Sequence, residues 1–386
     1  MWRALASNML TVLVVGLFLA GGLILWGQTQ YKEEGPLETA ICLQVRSGSN
    51  MTNVSRELED QGAISNATIF RMAADYADRS QQLKAGSFLV REGASMQQII
   101  AEITSSGAST CGSEIEYRIG VTRAQIRVRE LNPATLDFED VASFDASEEE
   151  FPAAYTEKRE EADTRYRISL AEGVTSWQVV EALKSFDALT GEISEIPAEG
   201  MLAPDSYDVA SGQDRAEVLQ AMQGKQQRRI NAAWESRQDG LPLESPEEML
   251  ILASIIEKET GVPDERGQVA SVFVNRLNQG MKLQTDPTVI YGVTKGQGSL
   301  GRGLRRSELR RATPWNTYVI DGLPPTPIAN PGQASLEAAV APEQTNFVFF
   351  VADGTGGHAF AETLQEHNLN VAKWREIEAE QQSSGN

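Results

Sequence analysis

Cysteine and histidine are almost missing from this sequence, with two of each among 386 residues. That scarcity excludes a cysteine-rich zinc centre, an iron–sulfur cluster and a disulfide-dense scaffold. His358 and His367 stand near Glu362, but no HExxH or other compact ligand pattern spaces them for a metal, and a hairpin histidine reads as a hydrogen-bonded structural residue. There is no GxSxG elbow, no glycine-rich phosphate loop and no reactive-cysteine setting, so no metal or cofactor is expected. Cations are scarce too: 34 Lys and Arg face 54 Asp and Glu, a net charge of −20. Such a chain is a poor ligand for nucleic acid or for an anionic lipid surface.

Long apolar runs are limited to one. Residues 9–26, MLTVLVVGLFLAGGLILW, are uncharged for 18 residues, enough to cross a bilayer core. Arg3 precedes the run, Lys32, Glu33 and Glu34 follow it, and the short positive flank stays inside. Residues 1–8 then form a cytoplasmic tail, 9–26 an uncleaved single-pass anchor, and the chain beyond about residue 30 lies outside the membrane. A cleaved signal peptide is the competing reading, but GQTQYKEEG offers no small-x-small site after the run. Cys42 and Cys111 fall on the oxidising side, and spacing alone leaves their bridging open.

A weak repeat marks the front half: a glycine, a capping residue two positions on, and aliphatics at +6 and +10. Its copies are Gly48 with Asn50, Val54 and Leu58; Gly93 with Ser95, Ile99 and Ile103; and Gly173 with Thr175, Val179 and Leu183. Each follows a strand-like run, so the unit is a strand, a glycine turn and a capped helix packing back on the strand. Residues 38–108 hold two such units around a further helix at 67–77 and make a small α+β module. Residues 109–166 read as a short β segment followed by a flexible acidic linker, DASEEEFPAAYTEKREEADT.

The chemistry concentrates after residue 245. Ser245, Pro246 and Glu248 are a helix start with a cap, a first-turn proline and a capping box, and Gly261 and Pro263 are the stop. Residues 249–256 are apolar apart from Ser254, so at about 100° per residue every side of the helix is hydrophobic and the helix is buried. Glu257 continues the stripe of Leu250, Ala253 and Ser254 and lies near the negative end of the helix dipole. Partial burial and that dipole both act against a bare carboxylate, as a general acid requires. An ordinary ion pair with Lys258 or Arg276 is the alternative that the helix alone leaves open. A second helix spans about 265–279. The loop MKLQTDPTVIYG then brings Gln284, Asp286 and Tyr291, and a strand pair, VFFVAD and HAFAE, follows around 354–357.

The motifs ASIIEKET (253–260), VASVFVNRL (269–277), LQTDPTVIYG (283–292), NTYVIDGLPPTPIANPG (316–332) and FFVADGTGGHAF (349–360) stand in family order. In them the chain resembles the endolytic murein transglycosylases of the YceG-like family. The resemblance implies an α+β protein with one N-terminal transmembrane helix, a LysM-like module at 38–108, an insertion at 109–166, and a lysozyme-like catalytic domain with β segments at 167–380. It implies that Glu257 is the catalytic glutamate, and that the β-1,4 bond between N-acetylmuramic acid and N-acetylglucosamine is cut within glycan strands to give 1,6-anhydro ends. Peptidoglycan strands are then the substrate, penicillin-binding synthases candidate partners, strand termination the role, and the inner membrane the location, with the bulk periplasmic. Gln284, Asp286, Asn316 and Tyr318 are the expected saccharide contacts. Glu259 points about 200° away from Glu257, and Asp286 suits fold or orientation better than nucleophilic attack. A non-catalytic wall-binding scaffold is the alternative function.

Overall fold

The computed structural model describes residues 2–105, 109–148, 150–161 and 164–384, with side chains from residue 13 to 380 outside those gaps. Residue 1, the side chains of 2–12, residues 106–108, residue 149 and residues 162–163 lie outside the described residues, and with them parts of the tail, anchor, LysM-like and acidic-linker readings. The chain is α+β and divides into two compact units, one of residues 1–115, 127–143 and 150–165, the other of 116–126, 144–149 and 166–386.

The first unit opens with α1 (Trp2–Lys32), whose apolar side chains from Leu13 to Trp26 are exposed, Phe18 79% and Leu19 70%. Among the described residues its stretch Leu13–Lys32 is the one helix long and apolar enough to cross a membrane. Then follow β1 (Ile41–Val45), α2 (Met51–Asp60), α3 (Ala67–Tyr76), β2 (Gly86–Val90) and α4 (Met96–Ile103). β1 and β2 pair antiparallel with Leu43 opposite Phe88. Val54, Leu58, Phe70, Ile99 and Ile103 pack with that pair into one core. Asn50 caps α2 and Ser95 closes a capping box with Gln98 on α4. Cys42 and Cys111 are disulfide-bonded, their Cα atoms 5.6 Å apart.

Next come β3 (Ser113–Ile119), β4 (Ala124–Asn132), β5 (Asp137–Asp145), α5 (Ala153–Glu160), β6 (Arg165–Leu170), α6 (Ser176–Ser185) and β7 (Ser206–Val209). Five of these are strands of one sheet, in the order β5-β4-β3-β6-β7, with Ile168 of β6 opposite Tyr207 of antiparallel β7. Residues 153–160 of the acidic stretch form α5. That helix buries Tyr155 (1% exposed), while Lys158 joins Glu130 at 2.6 Å and Glu161 at 3.1 Å. Glu114, fully buried, is held by Arg129 at 3.2 Å and Arg165 at 3.4 Å, as a desolvated carboxylate must be.

The rest of the second unit is helical: α7 (Arg215–Glu235), α8 (Pro246–Glu259), α9 (Arg266–Asn278), α10 (Asp286–Thr294), the short α11 (Arg306–Leu309) and α12 (Gln333–Val340). A hairpin of β8 (Phe349–Ala352) and β9 (His358–Ala361) and a last helix, α13 (Leu364–Ser384), close the chain. Ser245 caps α8 by accepting the Glu248 N–H, and the Glu248 carboxylate reaches back to the Glu244 N–H rather than to that of Ser245. Every residue from 249 to 256 is at most 8% exposed, enclosed by α7, α9, α10 and α12. Ser254, the one polar member, donates to Ile251 O and accepts the Ile328 N–H at 3.0 Å.

The bridge closes a loop with a sequence separation of 69. On the chain-entropy relation its reduction should cost about 4 kcal/mol. Guanidinium unfolding with and without reductant measures this, and identical midpoints would refute it.

Candidate active site

Glu257 sits half-buried on the last turn of α8. Its Oε2 accepts the Gly332 N–H at 3.0 Å and the Ser335 hydroxyl at 2.7 Å. Gly332 is the N-cap of α12 and Ser335 lies in its first turn, so the carboxyl meets the positive end of a second helix dipole. From the sequence only the dipole of α8 is visible at this position. Among the described residues Oε1 takes no partner, which leaves it to exchange a proton with a ligand. Neither Lys258 nor Arg276 pairs with Glu257 by hydrogen bond: Lys258 donates to Gly173 O at 3.2 Å, and buried Arg276 donates to Val348 O and Leu283 O.

The neighbouring segment is fixed by the buried Asn330 side chain. Its amide oxygen accepts the Leu202 N–H and its amide nitrogen donates to Val174 O, both at 2.9 Å. This ties the strand-to-helix turn at Gly173 (φ +77°) to the segment leading into α12. Glu172, in the same turn, lies so close to Gly332 that a Cβ at 332 would come 1.7 Å from its Oε1. A side chain at 332 would have to displace the Glu172 carboxyl from its place beside Glu257. Burial, and next the charge of Glu257, push the Glu172 carboxyl above the usual carboxylate range, with Arg266 Nη2 3.9 Å away.

Behind Lys258 stands Glu199, which accepts the Ser176 N–H at 2.8 Å and the Tyr291 hydroxyl at 3.2 Å. Burial pushes the Glu199 carboxyl up and the Lys258 ammonium down. Sequence reasoning passed over Glu172 and Glu199. Each directly precedes a glycine with positive φ, Gly173 and Gly200 (+84°), and that turn signal could have marked both as side chains held at a bend.

The remaining candidates gather on the other side of the end of α8. Asp286, exposed on the first turn of α10, accepts the Tyr318 hydroxyl at 2.7 Å. Gln284 is exposed, with φ +49° and its N–H on Thr317 O. Asn316 is buried, its amide nitrogen donating to Glu308 O, Leu309 O and Arg311 O and its oxygen accepting the Tyr318 N–H. It shapes the loop that presents Tyr318 and has no amide group left for a sugar. Glu259 accepts the Thr285 hydroxyl, and burial, with Asp286 adding to it, pushes its carboxyl up. Thus Glu257 and Glu259 draw partners from different segments. His358 Nδ1 lies 2.8 Å from Glu265 Oε2, and the His367 ring stacks on Phe349. Among the described residues no group of three or more His, Cys, Asp or Glu could hold a metal ion.

A model of the YceG-like family matches residues 43–373. The endolytic murein transglycosylase of Bacillus subtilis is 29% identical over 357 residues, covering 92% of this chain and 91% of that one. The endolytic murein transglycosylase of Streptococcus pneumoniae serotype 2 is 23% identical over 341 residues, covering 86% of this chain and 58% of that one, so the chain spans little more than half of that relative. A crystal structure of a YceG-like protein from Listeria monocytogenes covers 86% of this chain and 98% of its own at 24% identity, with a TM-score of 0.46.

Asn316→Ala should unfold about 1 kcal/mol more easily, since it removes the buried amide that ties the part-buried carbonyls of Glu308, Leu309 and Arg311 together. Urea unfolding reads this directly, and an unchanged midpoint would mean that those carbonyls have other donors.

Proposed function

We propose, from the premise that the chain belongs to the YceG-like family, that it is a membrane-anchored lytic transglycosylase cutting peptidoglycan strands internally at the β-1,4 bond between N-acetylmuramic acid and N-acetylglucosamine. The names of the Bacillus and Streptococcus relatives support the reaction class. The observation that carries the reading is Glu257 itself, with Oε2 fixed by the Gly332 N–H and the Ser335 hydroxyl and Oε1 without a partner among the described residues.

In the proposed reaction Glu257 gives its proton to the glycosidic oxygen as the bond to C1 breaks. The substrate's own N-acetyl group supports the positive charge at C1. The Glu257 carboxylate then takes the proton of the C6 hydroxyl as O6 attacks C1, which closes the 1,6-anhydro ring and restores the acid. One carboxyl thus serves twice, held in place by donors that do not titrate. Gln284, Asp286 and Tyr318 are proposed to meet the sugars, and Asn316 to position Tyr318.

The finer organisation is proposed on the same footing. The two strands enclosing α2 and α3 support a LysM-like wall-binding module at 38–108. The exposed apolar face of α1 supports an inner-membrane anchor with the bulk of the chain periplasmic, and a lysozyme-like cleft would receive the strand in the catalytic domain at 167–380. Cutting nascent strands close to the membrane would terminate their elongation and bring the protein beside cell-wall synthases. A wall-binding scaffold without catalysis is the alternative, and it has no need of a carboxyl held in this way.

Glu257→Gln should leave the fold intact and lower the release of anhydro ends from sacculi by at least ~10² to 10⁴. Glu259→Gln should retain substantial activity, because its partner is the Thr285 hydroxyl. Mass spectrometry of the fragments, with circular dichroism on both variants, decides this, and anhydro ends at the wild-type rate from Glu257→Gln would overturn the mechanism.

A further inference from the structure

Lys258 borders a cleft of about 390 Å³ between the start of α6, α10 and the loop at 296–302. Acids outnumber bases in the chain by 54 to 34, yet among the described residues this cleft is lined by two cations, Lys258 and Arg302, and by no carboxylate. In the rest of the wall the hydroxyls of Thr175 and Tyr291 and the amide of Gln178 are engaged, Thr175 on Gly296 O, Tyr291 on Glu199 and Gln178 on Val121 O, which leaves the two cations to meet an anion.

Lys258 is also incompletely satisfied. An ammonium has three hydrogens to donate, and among the described residues this one makes a single hydrogen bond, to Gly173 O. Glu257 and Glu199 are near enough to favour its charge, but neither hydrogen-bonds it, and burial remains the largest influence on it. Arg302 holds Glu308 bidentately through Nη1 and Nη2, with Nη1 also on Gly303 O, and is more than a third exposed, which among the described residues leaves Nε and one Nη2 hydrogen for a further acceptor at the mouth. A partly desolvated cation with spare donors gains most from an anion that fills them.

We propose that this cleft is a subsite for a carboxylate of the peptide stem carried by the glycan strand. The inference rests on the proposed reaction and deepens it. The hexosamine backbone is neutral, and the anionic groups of the polymer are the carboxylates of the peptide joined to the lactyl ether of muramic acid. A strand seated with its muramic acid at Glu257 carries such a stem next to the cut bond, and Lys258 is the adjacent residue of the same helix end. The preferred substrate is then the peptide-bearing strand rather than the stripped one.

The test compares kcat/KM of the full-length protein on peptide-bearing strands and on the same strands stripped by an amidase, with the lactyl carboxylates that this exposes capped as methyl amides. Wild type should favour the peptide-bearing strands by about tenfold or more, the worth of one charge-assisted hydrogen bond, and the preference should shrink as salt rises. Lys258→Met and Arg302→Gln, each checked for folding, should bring the ratio towards one, Arg302→Gln through KM with little change in kcat. Equal rates on both substrates by wild type, or an unchanged ratio in both variants, overturns the subsite and leaves the reaction standing. If the folded protein cuts neither substrate, the proposed reaction fails instead, and calorimetric titration with an N-acetylmuramoyl tetrapeptide decides the subsite alone. Binding weakened about tenfold by Lys258→Met or Arg302→Gln supports it, and absence of binding to wild type refutes it.

Discussion

The enclosure of α8 on every side is the constraint from which the geometry of the second unit follows. Met249, Leu250, Ile251, Leu252, Ile255 and Ile256 are each buried to within 8% of completely. Each contributes on the order of 1.5–3 kcal/mol relative to exposure. A helix packed by α7, α9, α10 and α12 cannot rotate without exposing one of these side chains, so the directions taken by its last three residues are fixed. Glu257, Lys258 and Glu259 fan out from that end to Gly332 with Ser335, to Gly173, and to Thr285 respectively. One rigid helix therefore sets the relative position of three loops that are far apart in sequence.

Buried polar groups complete what packing begins. Ser254 and Asn330 accept the buried N–H groups of Ile328 and Leu202, and the Asn330 amide adds a second donor to Val174 O beside its own backbone N–H. Such groups cost more when left unmet than they gain when satisfied, so each of these side chains specifies one arrangement of the loops. The close approach of Glu172 to Gly332 depends on that arrangement. A shift of an ångström in the segment before α12 would separate the two glutamates and remove the Gly332 N–H from Glu257.

Local features were legible in the sequence and partners were not. The turning glycines at 48, 93 and 173, the caps Asn50, Ser95 and Thr175, and the buried aliphatics that follow each cap are all present, because capping and helical periodicity are decided within a few residues. The bounds of α8 followed from the same kind of signal. The donors to Glu257, by contrast, come from 75 and 78 residues downstream, a relation that no local pattern encodes. Composition does not display α5, where part of a charge-rich stretch turns helical and buries Tyr155. Nor does it display the surroundings of Asn316, whose amide suits a sugar hydroxyl and a backbone carbonyl equally well and here donates to the backbone.

Two glutamates two residues apart on one helix illustrate how environment assigns chemistry. Glu259 is turned towards Thr285, with the charge of Asp286 beside it and Arg276 engaged by carbonyls. Burial and that neighbouring charge favour its neutral form, and a neutral carboxyl accepting a buried hydroxyl is a structural group. Glu257 offers the opposite combination: one oxygen held by a backbone N–H and a hydroxyl at the start of α12, the other without a partner among the described residues, and a second carboxyl across Gly332. A residue that must release a proton and take one back within a single turnover needs a geometry that does not change between its two charge states. Donors supplied by a backbone amide and a buried serine provide that constancy, because neither changes its own charge when the carboxyl does.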